Sequence, residues 1–361
     1  MRTQPKTTLT GNYYRDPAIF QRELERIFFT SWVLVGREEQ VAEAGDYFTF
    51  ELGAESVLLV RARDHILRAF YNVCRHRGSR LCVTGAGRFK GAIQCPYHAW
   101  SYALDGTLRA APNVHASENF SKEAFPLYPA SVEVWEGFVF LRLEDTGQSL
   151  STQLGALLER ARPYPLASLR TGVRAEREVN ANWKILIENF QECYHCPGVH
   201  PELADLVPLY RTGEVDASNS EPPEFRKGVL TATHDGMTQR PIFANLRGRT
   251  RQRYHADLVL PNLFLYLFPD YVCARSLWPV SPTRTRIVSE WLFEPEVLAQ
   301  AECDLEDAVS FMNLLGEQDW RACEAVQQGV LSRAHVQGVL LEQESEVADF
   351  TRWYLNELKE E

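Results

Sequence analysis

Apolar residues along positions 16–34, DPAIFQRELERIFFTSWVL, recur at helical spacing. Phe20, Leu24, Ile27 and Phe28 share one face, which predicts an amphipathic helix. From about Ala42 to Leu143 the texture changes. Short runs such as DYFTFEL, SVLLVRAR and GFVFLRL, broken by Gly and Asp turns, predict a small all-β unit. The polar stretch EDTGQSLSTQ that follows reads as a linker. Residues 211–255 are polar and carry Pro222-Pro223 and several glycines, so a long loop or lid is expected there. Strands resume at LVLPNLFLYLF and TRIVSEWLF, and a final helical region runs from about Leu305 to the end.

Composition adds exclusions. The 361 residues are 45% hydrophobic and 24% charged, enough for a large core and about two domains. A formal charge of −10 disfavours coating nucleic acid and suits an enzyme of small molecules. No apolar run approaches the ~18 residues of a membrane span, and MRTQPKTTLTGNYY lacks the apolar centre of a signal peptide, so a cytoplasmic protein is expected. The eight cysteines are too scattered for a disulfide framework. Cys82, Cys273, Cys303 and Cys323 are expected to be buried small hydrophobes.

Two clusters carry chemistry. In the β unit, Cys74-Arg75-His76-Arg77-Gly78 is followed by Cys95-Pro96-Tyr97-His98. Two cysteines and two histidines suit a structural zinc, but a finger orders them as Cys-x-x-Cys and His-x3-His. Mixed Cys/His pairs on two loops are what a Rieske [2Fe–2S] centre needs, with two thiolates on one iron and two imidazoles on the other. Gly78 would let the first loop turn, and Tyr97 and Trp100 could shield the cluster.

The second cluster is ENFQECYHCPGVH, residues 188–200. Glu188, Glu192 and His195 stand at i, i+4 and i+7, one face of a predicted helix that Pro197-Gly198 would end, letting His200 swing toward His195. Cys193, Cys196 and His200 could instead hold zinc, but on that helix the cysteines face away and His195 is left unused. Two histidines and a distant carboxylate make the facial triad of non-haem Fe(II) oxygenases. Leu305, Ala308, Met312, Leu315, Asp319, Cys323 and Val326 form an apolar helical stripe with one acid in it. A buried carboxylate must find a cation. Iron would serve, and the plainer alternative is a salt bridge from Asp319 to Arg275 or Arg321.

C-x-H-R-G with C-P-Y-H-x-W, then NWKILIENFQECYHCPGVHP and, far downstream, EQDWRACEAVQQG, resemble the Rieske non-haem iron oxygenases over nearly the whole chain. Ala99 stands where many members carry Gly, and Glu192 where many ring dioxygenases carry Asp. The resemblance is closer to the homotrimeric branch that includes glycine betaine and related quaternary-ammonium monooxygenases. It implies an α+β chain: an N-terminal helical segment (1–40) packed on the catalytic domain, an all-β Rieske domain (41–150), and a catalytic domain (151–361) with an antiparallel sheet covered by helices. It implies Cys74, His76, Cys95 and His98 as cluster ligands, and His195, His200 and Asp319 as ligands of a mononuclear Fe(II). Glu192 would be the acid bridging one subunit's cluster to its neighbour's iron; Asn189 and Trp183 are expected either near the iron or as simple core. With no Gly-rich dinucleotide fingerprint in the chain, electrons would come from a separate NAD(P)H-dependent flavin/iron–sulfur reductase.

The substrate is less legible. Phe264, Tyr266 and Phe268 fall on one side of a strand, and with Trp278 and Tyr271 they could cradle a methylated ammonium by cation–π attraction. They would equally stack on a flat aromatic substrate, or simply fill a core. Oxidative N-demethylation and aromatic-ring hydroxylation both remain open, and a cis-dihydroxylating version of the latter would often bring a separate β subunit. A betaine's carboxylate would need a cation, for which Arg275, Arg247 and Arg249 are candidates.

Overall fold

The computed structural model describes residues 6–113, 120–144, 147–213, 221–300 and 304–359, which leaves Cys303 and parts of the expected linker and 211–255 loop outside the described residues. The chain forms two compact units, Phe28–Gln153 and Met1–Ile27 with Leu154–Glu361.

The first unit is all β. Its larger sheet runs Val33–Arg37, Phe138–Arg142, Pro129–Trp135, Leu67–Tyr71, Glu55–Arg61, Asp46–Leu52 and Ala86–Arg88, each strand antiparallel to its neighbours. A smaller sheet orders Ile93–Gln94, Ser101–Tyr102 and Leu108–Ala110. Leu58, Val60 and Phe70 of the larger sheet share one core cluster with Cys74, Cys95, Trp100 and Tyr102, so apolar burial fixes the two motif loops onto a rigid support.

The first 40 residues divide between the units. Asp16 caps the helix Pro17–Glu23 by accepting the Ala18 amide (2.7 Å), and Pro17 begins it. A wide turn follows over Leu24–Phe28. The helix predicted to reach Leu34 stops there, because Val33-Leu34-Val35 gains a strand pairing with Phe138–Arg142. Tertiary pairing overrides local periodicity.

In the second unit a five-stranded antiparallel sheet runs Arg170–Val179, Arg284–Phe293, Val272–Ser281, Leu263–Leu267 and His255–Val259. The run LVLPNLFLYLF splits at the turn closed by Asn262 N–H to Val259 O (3.2 Å), giving two strands. Helices Trp183–Phe190 and Glu306–Val330 pack together, and each touches the sheet. The stripe on the long helix holds from Ala308 to Cys323 and then fails. Val326 is exposed, and buried Gln327 takes its place, accepting the Asn182 amide and donating to Tyr14 O. Cys82, Cys273 and Cys323 are buried, as expected.

Glu23 is fully buried and accepts from Trp183 Nε1 (2.8 Å), Lys184 Nζ (2.5 Å) and the Tyr354 hydroxyl (2.6 Å). It ties the N-terminal helix to helices Trp183–Phe190 and Ser345–Leu358. Among the described residues no helix is long and apolar enough to cross a membrane.

Candidate functional site

The Cys74 and Cys95 loops are closed by similar bonds: Gly78 N–H to Cys74 O (3.0 Å) and Ala99 N–H to Cys95 O (3.1 Å). Gly78 (φ +73°) and Ala99 (φ +57°) both sit in the left-handed region, which explains why glycine suits position 99. Cys74 and Cys95 are buried side by side, while the His76 and His98 rings lie toward the surface with centroids 4.6 Å apart. Trp100 stacks on His76 (4.9 Å, 6°) and is buried, as a shield should be; Tyr97 covers His98 but is itself exposed. Burial pushes both thiols up, yet at Cys95 the amides of Tyr97 and His98, together with hydrogen bonds from Cys74 and Ser79, outweigh it and draw that thiol down. The Tyr102 hydroxyl accepts the Arg75 N–H (3.1 Å) and shares a hydrogen bond with Cys74 Sγ (3.3 Å). A buried thiol pair facing a solvent-side imidazole pair fits a [2Fe–2S] cluster with mixed ligands. Tyr102 was not singled out from sequence; a tyrosine in a short strand carries no local sign of its sulfur partner.

The second cluster departs from the predicted helix. Helix Trp183–Phe190 ends before Glu192, because the Glu192 carboxylate captures the backbone N–H groups of Tyr194 and His195 that a continuing helix would use. Pro197, expected to end a helix, stands near the start of the short one at Cys196–Val199. Glu188 does not join Glu192 and His195 on one face. It accepts from Tyr14 (2.7 Å) inside the protein, and burial raises it to about 7 against the pull of Tyr14 and Lys184. Cys193 and Cys196 form a disulfide, so neither sulfur is free to hold zinc.

The structure nevertheless assembles the expected triad. One ligand atom from each of His195, His200 and Asp319 lies within 4.8 Å of the others. Asp319 Oδ1 is 2.7 Å from His200 Nε2 and 3.4 Å from His195 Nε2, and neither Arg275 nor Arg321 forms an ion pair with it. The outer nitrogens are oriented too: His195 Nδ1 by Glu192 Oε1 (2.6 Å) and His200 Nδ1 by Gln318 Oε1 (2.8 Å). Gln318, the neighbour of Asp319, was missed in the sequence because only its partner reveals it. Burial disfavours charge on the His195 ring, but Asp319 and Glu192 hold it up to about 9. Burial raises Asp319, but the two histidines bring it down to about 2. An anion between two imidazoles, each fixed by a further acceptor, fits a divalent cation.

The triad opens on a cavity of about 670 Å³. Asn189 lines it, with Nδ2 3.5 Å from His195 Nε2. Of the five aromatics proposed for the pocket, only Tyr266 lines it. Phe264 lies behind Phe190, stacked at 4.1 Å, and Phe268 backs Tyr254 at 5.2 Å. Trp278 falls on the opposite sheet face, since Tyr266 pairs with Cys273 and alternation puts Arg275, not Trp278, on that side. Tyr271 is in the core, donating to Ala232 O (2.8 Å), and Trp183 is held by Glu23, away from the cavity. Phe190, Tyr210 and Tyr254 complete the aromatic wall. They come from three separate segments, which no local pattern joins.

Comparisons with known proteins bear on the fold and the family. The family model "Ring hydroxylating alpha subunit (catalytic domain)" matches residues 166–360, and "Rieske [2Fe-2S] domain" matches residues 31–128. A carnitine monooxygenase oxygenase subunit from Acinetobacter baumannii is 31% identical over 90% of this chain and 85% of its own. A glycine betaine monooxygenase oxygenase subunit from Chromohalobacter salexigens is 31% identical, over 96% of this chain and 85% of its own. The quaternary ammonium Rieske monooxygenase CntA, solved with γ-butyrobetaine, superposes with a TM-score of 0.78 at 27% identity, covering 98% of this chain and 96% of that one. Naphthalene 1,2-dioxygenase from Rhodococcus shares the fold (TM-score 0.74) at 18% identity. The chain belongs to the ring-hydroxylating oxygenase alpha subunits: it is an oxidoreductase that joins a Rieske [2Fe–2S] domain to a non-haem iron catalytic domain.

Proposed function

We propose that this chain is the oxygenase component of a monooxygenase that hydroxylates a carbon bonded to the nitrogen of a quaternary ammonium substrate. The observation that carries the reading is the wall of Phe190, Tyr210, Tyr254 and Tyr266 beside the His195/His200/Asp319 triad. Aromatic faces attract a methylated ammonium, each by ~0.5–2 kcal/mol. The relatives that act on carnitine, glycine betaine and γ-butyrobetaine support the same class. Hydroxylation of an aromatic ring would use these faces by stacking, but its dioxygenase comparator shares the fold alone.

Cys74, Cys95, His76 and His98 hold the cluster in this account, and His195, His200 and Asp319 hold the iron. The cluster supplies an electron and the iron site the means of activating O₂. Overall, an N-methyl group, O₂, two electrons and two protons give an N-hydroxymethyl ammonium and water. That species splits into a tertiary amine, formaldehyde and a proton. The protein's part is to bind and orient: Gln318 and Glu192 fix the two imidazoles, Asn189 stands beside His195, and the aromatic wall excludes water.

Glu192 already accepts three hydrogen bonds, two at Oε2 and one at Oε1. A carboxylate has about four acceptor sites, leaving room for one imidazole N–H from the cluster of a neighbouring copy. A closed head-to-tail trimer would supply that neighbour. The electrons would come from an NAD(P)H-dependent flavin/iron–sulfur reductase in the cytoplasm. The test is substrate-dependent O₂ uptake with a surrogate reductase, comparing glycine betaine, carnitine, γ-butyrobetaine and choline with indole. Uptake with quaternary ammonium compounds is expected; uptake with indole alone would overturn the substrate class.

A further inference from the structure

Three arginines could meet an anionic substrate group, and the structure separates them. Arg247 is turned to the Ala244 and Leu246 carbonyls, and Arg249 pairs with Glu224 (2.7 Å) outside the cavity. Arg275 alone of the three lines the cavity, and it is only 4% exposed. Strand alternation places it with Tyr266 on the side that meets helix Glu306–Val330.

Its surroundings hold the guanidinium but do not neutralise it. Nη2 donates to the Met312 carbonyl (2.5 Å), and the Tyr266 and Trp320 rings lie 5.5 and 5.6 Å from Cζ. The Tyr266 phenol and Cys273 thiol lie close, but burial raises both well above their ordinary values, so both are neutral. Among the described residues Nε has no hydrogen-bond partner and no carboxylate forms an ion pair with Arg275. The acid whose charge it feels, Asp319, is engaged by His195 and His200. Arg160, also at the cavity, is already paired with Asp257. Space is kept for the group as well: a Cβ at Gly316 would come within 3.1 Å of Arg275 Nη2 and 2.9 Å of the Trp320 ring.

A buried, unpaired guanidinium is costly unless an anion completes it, and its planar fork matches two carboxylate oxygens. We propose that Arg275 binds the carboxylate of the substrate, so that the cavity selects zwitterionic ammonium carboxylates over cationic ammonium alcohols. This rests on the quaternary-ammonium reading above and narrows it. One end of the ligand meets the aromatic wall, and the other is read by a single charge beneath Tyr266.

The test is a ligand-by-variant cycle on the fully metallated protein. Dissociation constants for γ-butyrobetaine, glycine betaine and choline are measured by calorimetry for wild type, Arg275→Gln and Arg275→Lys, with cluster absorbance and iron content confirming intact centres. In Arg275→Gln the carboxylate ligands are expected to weaken about 10- to 100-fold and choline less than threefold. Arg275→Lys should recover part of the loss, because it keeps the charge but not the fork. Equal weakening of all three ligands would mean a structural role and overturn the proposal, as would a wild type that binds choline as tightly as the betaines. If no quaternary ammonium ligand binds wild type, the substrate class itself is overturned, and the role of Arg275 falls with it.

Discussion

Replacing Glu23 by Gln should destabilise the second unit strongly, although Glu23 lies away from the cavity. Glu23 and Lys184 are both fully buried, and the carboxylate is the partner of Lys184 Nζ at 2.5 Å. A neutral amide leaves the ammonium without its carboxylate and turns its NH2 either toward Trp183 Nε1, at Oε2, or toward Lys184 Nζ and the Tyr354 hydroxyl, at Oε1, and these groups are donors themselves. Breaking a buried pair costs about 3–5 kcal/mol. The Tyr14, Trp183 and Tyr354 rings lie 5.1–5.5 Å from Nζ and soften the loss, so the lower end applies. At about 2–4 °C per kcal/mol for a unit of this size, Tm should fall by roughly 6–12 °C. Scanning calorimetry, with cluster absorbance tracking the Rieske unit separately, reads the effect. Adding Lys184→Met removes the orphaned charge and should restore more than half of the loss. A Glu23→Gln variant within about 1 kcal/mol of wild type, or a double variant whose loss is the sum of its singles, would refute the reasoning.

Three further outcomes follow from the same geometry. Burial raises the Glu188 carboxyl from its usual 4.5 to about 7, so its stabilising effect is full below pH 4.5 and is lost as pH rises through 7. At about 1.36 kcal/mol per pH unit, Glu188→Gln should match wild type at pH 4 and gain about 3 kcal/mol on it by pH 8 in denaturant titrations; a pH-independent difference would contradict this. Tyr102→Phe removes the hydroxyl hydrogen bond to Cys74 Sγ, and redox titration should show the cluster potential falling by roughly 20–60 mV; an unchanged potential would place that proton elsewhere. Gln318→Leu frees His200 Nδ1, and chelator competition should show iron held about 10- to 100-fold more weakly with the Rieske spectrum unaltered.

The residues that cluster as candidate metal ligands were legible because their chemistry is written in residue type and spacing: Cys-x-His with Cys-x-x-His, two histidines five apart, and one acid in an apolar stripe. The backbone around His195 was not. Helical spacing at Glu188, Glu192 and His195 is genuine, but it takes no account of a carboxylate that captures amides two and three residues ahead. The aromatic strand misled for a related reason. Alternation correctly puts Phe264 and Tyr266 on one face, yet Phe190 from a distant helix stacks over the first and meets the second only edge-on, so of the two Tyr266 alone lines the cavity. Glu23 was invisible beside Leu24 on its amphipathic segment, since its partners come from residues more than 150 positions away. Periodicity reports which face is buried, whereas the partners of a buried charge are set by tertiary structure.

The central claim, an oxygenase that carries both iron centres and acts beside a quaternary nitrogen, is tested most directly by one turnover without a reductase. The purified protein is reduced anaerobically, then given O₂ with γ-butyrobetaine or glycine betaine while cluster reoxidation and released amine and formaldehyde are followed. The account predicts substrate-accelerated reoxidation, about one equivalent of product per mononuclear iron, and neither effect in His195→Ala, whose cluster stays reducible. Reoxidation unaffected by these substrates, or product formed as well by His195→Ala, would contradict it.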